Sequence, residues 1–193
     1  MTLAGAPIKV RFPACVGVSG MDLFRGLALA LLVVMARPAI ADGTFSLAKG
    51  PAYLTFSGGL FDVRKQKDQS GEFSLEYRSD VQLGWFKPFA HAAYVTNGMS
   101  FLGAGVLVDL QVGKNWIIQP SIAPTWWRGK TDDLDLGYAL EIRSRLEVAY
   151  RFPDKSRLGL SFSHTSNGAM GNPNPGVESL MLNVSVPMEM IGR

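Results

Sequence analysis

Cysteine is almost absent from this chain. Cys15 is the only one in 193 residues, and it precedes an apolar run that reads as a leader. The segment after that run can hold no disulfide, thiolate metal site or cysteine nucleophile, and Cys15 stands on the wrong side of the run for lipoprotein acylation. Histidine is scarce too: His91 and His164 are the pair, which argues against a multi-histidine metal centre. Beyond the leader no apolar stretch is long enough for a transmembrane helix.

An excess of one charge is also missing once the leader is set aside. The whole chain carries 19 basic and 16 acidic residues, net +3, with a pI near 9.1. Lys9, Arg11, Arg25, Arg37 and Asp22 all lie in residues 1–41, which leaves 15 basic against 15 acidic. The basic pI therefore belongs to the presequence and gives no support for nucleic-acid binding. The presequence itself has the parts of a secretory signal: Arg25 near Met21, the apolar core Leu27 to Met35, then Ala39-Ile40-Ala41 as a small-x-small cleavage site. Two regions are expected, a leader over 1–41 and a single domain over 42–193.

Alternation with period two dominates that domain, the mark of strands with unlike faces. Eight strands are expected, at about 51–63, 72–81, 84–95, 99–111, 115–126, 137–152, 157–166 and 178–187. In the sixth, Tyr138, Leu140, Ile142, Leu146, Val148, Tyr150 and Phe152 oppose Glu141, Arg143, Arg145, Glu147 and Arg151. In the fourth, Leu102, Ala104, Val106, Val108 and Leu110 form the apolar row. Such patterns suit a soluble sandwich or a barrel turned inside out, with lipid outside and charge within. The even count, the strand lengths and the aromatic residues near strand ends (Trp85, Trp116, Trp126, Trp127, Tyr150) favour the barrel. The expected fold is all-β: an eight-stranded antiparallel outer-membrane β-barrel behind a cleaved signal peptide, its bore filled by side chains.

Chemistry concentrates at one turn. In 157–166 the apolar row Leu158, Leu160, Phe162 continues in register to His164 and Ser166; in 178–187 the row Leu180, Leu182, Val184, Val186 begins, by parity, at Glu178. The intervening stretch from Asn167 to Gly176 is dense in Asn, Pro and Gly and reads as a turn. A hairpin then brings hydroxyl, imidazole and carboxylate to one end and one face, the greasy one. These are the parts of a hydrolytic triad: nucleophile, general base and orienting acid. The bland alternative is a polar loop rim that contains a histidine. His91, mid-strand with no carboxylate at a useful spacing, reads as structural, and Asp132, Asp133 and Asp135 as a solvated loop.

His164-Thr165-Ser166-Asn167, the Asn-Pro-Asn-Pro-Gly that follows and Glu178-Ser179 together resemble the C-terminal signature of the lipid A 3-O-deacylases, the PagL type. The resemblance implies an outer-membrane carboxylic ester hydrolase that removes the 3-O acyl chain of lipid A without cofactor or metal. By position it makes Ser166 the nucleophile, His164 the general base and Glu178 the residue that orients it. The oxyanion hole would fall on the Gly168 and Ala169 amides with Asn174, and Asn167 as a further candidate. Here Gly168-Ala169 replaces the Ala-Gly order usual in the family. The partners implied are lipopolysaccharide and the outer membrane, with the site towards the outer leaflet and no nucleic acid; a homodimer stays open. Two other readings remain: an outer-membrane phospholipase using the same Ser-His logic, and a non-catalytic structural or adhesive barrel.

Overall fold

Strands form wherever the sequence alternates, and their ends meet. A computed structural model describes residues 45–129 and 131–191; the expected leader, 1–41, lies outside the described residues. The strands are β1 (Phe45–Leu47), β2 (Tyr53–Phe61), β3 (Ser70–Arg78), β4 (Lys87–Val95), β5 (Ser100–Leu107), β6 (Leu110–Val112), β7 (Trp116–Arg128), β8 (Leu140–Arg151), β9 (Arg157–Ser166) and β10 (Val177–Pro187), followed by a single helical turn, α1 (Met188–Ile191). All pairings are antiparallel. Each long strand bonds its sequence neighbours, β10 pairs with β2, and β7 with β8, so the sheet closes on itself. Closure leaves the long strands no open edge, the condition for backbone to lie in hydrocarbon. The structure is thus an eight-stave barrel, with β5 and β6 sharing one stave and β1 added beside β6.

The two faces are sorted as a lipid solvent requires. Outward stand Phe56, Leu75, Leu102, Leu146, Leu160 and Leu182, each more than two-fifths exposed. Inward lies a charged lattice. Arg78 bridges Glu76 (2.5 Å) and Glu147 (2.6 Å), Arg145 reaches Glu76 (2.7 Å), Arg143 reaches Glu72 (2.6 Å), and Arg157 grips Asp109 through both terminal nitrogens (3.0 and 3.1 Å). Buried charges are tolerable only when paired and hydrogen-bonded in this way. Among the described residues the cavity lined by His91, Ser121, Arg143, Arg145 and Asn183 has room for about one water, some 20 Å³, as a bore filled by side chains should.

Two departures from the strand reading matter. The expected strand 99–111 breaks at Val108-Asp109. There β5 has β4 as its outer neighbour and β6 has β1, and Ala48 donates to the Asp109 carbonyl (2.9 Å). Val108, expected on the lipid row, is consequently buried. The second departure is an apolar plug of Phe61, Val95, Met99, Phe101, Leu134, Leu136 and Val177, which fills the bore at the end where β9 meets β10. Loop residues supply Met99, Leu134 and Leu136. That end also carries the loops 62–69, 96–99, 129–139 and 167–176, against 79–86, 113–115 and 152–156 at the other.

Candidate active site

Cross-strand register sets the geometry. Glu178 of β10 lies directly opposite His164 of β9, and Ser144 of β8 lies opposite His164 on the other side. Along the outward row of β9, Leu158, Leu160 and Phe162 are exposed; one step on, at His164, the row turns polar. The imidazole is 23% exposed and Glu178 only 2%. His164 Nδ1 donates to Glu178 Oε1 at 3.0 Å. A carboxylate can only accept here, so a hydrogen sits on Nδ1 and Nε2 is the ring nitrogen left for proton transfer, the arrangement a general base needs.

Glu178 is covered from above by the loop 62–69. Val63 donates its N–H to the Glu178 carbonyl (3.0 Å), and Arg64 Nη1 reaches the same Oε1 that His164 uses (3.3 Å). The second oxygen, Oε2, is buried with no partner among the described residues. Ser166 closes β9 and is 7% exposed. Among the described residues its hydroxyl makes no hydrogen bond to His164. The two side chains flank Gly176: a Cβ at that position would stand 2.9 Å from His164 Cε1 and 3.7 Å from Ser166 Cβ, and its φ is +61°.

The turn beyond Ser166 is built on Asn167, which is fully buried. Its amide nitrogen donates to the carbonyls of Leu136 (3.4 Å), Gly171 (3.3 Å) and Pro173 (3.0 Å), and its oxygen accepts from the Ala169 N–H (3.0 Å). Its own N–H donates to Asn174 Oδ1 (3.2 Å). Gly168 and Ala169 both have positive φ, 60° and 67°. Of the four oxyanion candidates, Asn167 and the Ala169 amide are thus engaged inside the turn. The Gly168 N–H and Asn174 Nδ2 have no protein partner among the described residues.

His91 faces the bore, hydrogen-bonded to Thr125 Oγ1 (3.1 Å) and stacked near Phe89, remote from this cluster. Asp135 caps its own turn at the Gly137 N–H (2.8 Å). Sequence reasoning missed Arg64 and Gly176. Gly176 had a signal, a Pro-Gly immediately before a strand; Arg64, one of several loop cations, had none.

The family described as lipid A 3-O-deacylase (PagL) matches residues 69–187, well over half of the chain and including the whole β9–β10 hairpin. This chain belongs to the lipid A 3-O-deacylase family. With it the chain is a carboxylic ester hydrolase built on an outer-membrane barrel. Among solved structures, the crystal structure of the outer membrane enzyme PagL is similar at 20% identity, covering 70% of this chain and 99% of that one with a TM-score of 0.58, a likeness of fold. A transmembrane β-barrel designed de novo (12% identity, 72% and 95% covered, TM-score 0.49) and the Yersinia pestis outer membrane protein Ail (9% identity, 71% and 100% covered, TM-score 0.43) are also similar. No curated protein matches the chain. In this lipid A 3-O-deacylase family member, His164, Ser166 and Glu178 all fall inside the matched span.

Proposed function

We propose that this deacylase cleaves the 3-O acyl ester of lipid A with Ser166 as nucleophile, His164 as general base and Glu178 as the residue that fixes the imidazole. The observation that carries the reading is the 3.0 Å bond from His164 Nδ1 to Glu178 Oε1, on the outward face and two residues from Ser166. A hydrolytic site at the rim of a lipid-facing barrel suits a substrate that is itself a membrane lipid. At the rim the cost of polar groups is smaller than at mid-membrane.

In the reaction, Ser166 Oγ attacks the ester carbonyl carbon while His164 Nε2 takes its proton. Negative charge gathers on the former carbonyl oxygen, where the Gly168 N–H and Asn174 Nδ2 are the donors left uncommitted by the turn. The tetrahedral intermediate collapses, His164 returns the proton to the departing sugar oxygen, and the acyl chain stays on Ser166. Water, deprotonated by His164, then attacks the acyl carbon and releases the fatty acid. Glu178 holds one tautomer and offsets the positive charge that forms on the ring.

The loops support an outward-facing site. Both ends of the described barrel chain, β1 and α1, lie opposite the site, and the longer loops surround the site. In bacterial barrels longer loops face outward and short turns the periplasm. The site thus belongs to the outer leaflet, where lipopolysaccharide resides.

Purified variants test the assignment on lipid A in detergent. Ser166→Ala and His164→Ala should each lower kcat by about ten-thousandfold or more, and Glu178→Ala by less, since orienting residues leave a remnant. Near-normal turnover by Ser166→Ala would overturn the nucleophile.

A further inference from the structure

The loop 62–69 is more ordered than a run of charged residues requires. Asp62 is buried, and its Oδ2 accepts the N–H groups of Lys67 (2.7 Å) and Asp68 (3.0 Å) while its carbonyl accepts from Gln66 (3.2 Å). Asp68 in turn accepts from Asn97 Nδ2 (2.8 Å) and Thr131 Oγ1 (2.7 Å), tying the loop to its two neighbours. Val63 bonds the backbone of Glu178. The result is a fixed turn that holds Arg64, Lys65 and Lys67 in solvent, with Arg64 against the His164–Glu178 pair. Neither Lys65 nor Lys67 forms an ion pair among the described residues.

Arg64 is the member that touches the site. Its side chain is 57% exposed, and one nitrogen, Nη1, leans on Glu178 Oε1 at 3.3 Å. An ion pair so exposed contributes little to stability. A guanidinium, however, has five donors in a flat fork matched to phosphate. With one nitrogen on Glu178, the rest of the fork is left for an anion. Lipid A is a phosphorylated glucosamine disaccharide, and the ester to be cut shares its sugar with a phosphate.

We propose that residues 64–67 form the headgroup subsite of this enzyme, with Arg64 gripping a phosphate of the substrate sugar and so setting the ester against Ser166. The inference rests on the hydrolase reading above. Arg64 is a substrate-positioning residue: it spans Glu178 and the phosphate, with Lys65 and Lys67 adding attraction at the same edge.

The test uses the full barrel in nonionic detergent and two synthetic substrates, a 3-O-hydroxyacyl glucosamine with and without its phosphate. Wild type should favour the phosphorylated one in kcat/KM by about ten- to a hundredfold, the worth of a charged hydrogen bond. Arg64→Ala should collapse that ratio towards one, and Arg64→Lys should keep an intermediate value. Any general harm to Glu178 lowers both substrates alike and cancels in the ratio. A wild-type ratio near one, or a ratio unmoved by Arg64→Ala, overturns the subsite and leaves the hydrolase reading standing. If wild type cleaves neither substrate, the hydrolase reading falls and the subsite with it.

Discussion

Gly176 is the residue packed between the proposed nucleophile Ser166 and the proposed base His164. Its φ of +61° is one that side chains with a Cβ rarely adopt, and the Cβ it lacks would press on the imidazole at 2.9 Å. Gly176→Ala therefore strains the backbone and displaces the His164 imidazole at the same time. Misplacing a catalytic group by a fraction of an ångström to an ångström costs up to about a hundredfold. Gly176→Ala should lower kcat/KM by that order while the barrel still shows the heat-dependent gel mobility of a folded one. Unchanged turnover would mean that the gap between the two side chains has no catalytic meaning. Arg64 teaches something different at this scale. Its partner Glu178 lies 114 residues away in sequence, and nothing local to Val63-Arg64-Lys65 selects it.

The β9–β10 hairpin was legible because its two faces meet unlike surroundings. Leu158, Leu160 and Phe162 could sit only on the lipid side, and parity put His164 and Ser166 in the same row, where His164 is partly exposed and Ser166 is buried. The same count starting at Leu180 placed Glu178, and the register pairs it with His164. The turn between them was legible only as a turn. That Asn167 would bury itself and knot three carbonyls follows from the closure of the loop upon itself and upon Leu136, which no periodicity encodes. Asn167→Asp makes this concrete. A carboxylate in place of the amide presents acceptor to acceptor at Leu136, Gly171 and Pro173, and a buried group left unsatisfied costs about 1–3 kcal/mol. The turn should open: protease cleavage within 167–176 should rise and turnover should fall, with strand content by circular dichroism unchanged. A turn that resists cleavage as well as wild type would show that Asn167 does not hold it.

At the scale of the whole molecule, the barrel separates two kinds of work. The bore carries buried charge, paired through Arg78 with Glu76 and Glu147 and through Arg157 with Asp109. The proposed chemistry lies at the rim where the apolar row gives way to Ser144, His164 and Glu178. The inside-out architecture was readable from the charged rows of 72–81 and 137–152, since Glu72, Glu76, Arg78, Arg143, Arg145 and Glu147 are all drawn into the bore's ion pairs. What escaped reading was whatever depends on a change of partner or on loops: Val108, buried where the ladder passes from β4 to β1, and the plug residues Met99, Leu134 and Leu136. The central claim, that Ser166 of this barrel removes one ester-linked chain from lipid A, has a direct measurement. Lipid A extracted from a Gram-negative host expressing the wild-type chain should be lighter by one hydroxyacyl group, while the same host expressing Ser166→Ala at equal barrel abundance should yield lipid A of unaltered mass. Lipid A equally shortened by both, or shortened by neither while lysophospholipid accumulates, would contradict it.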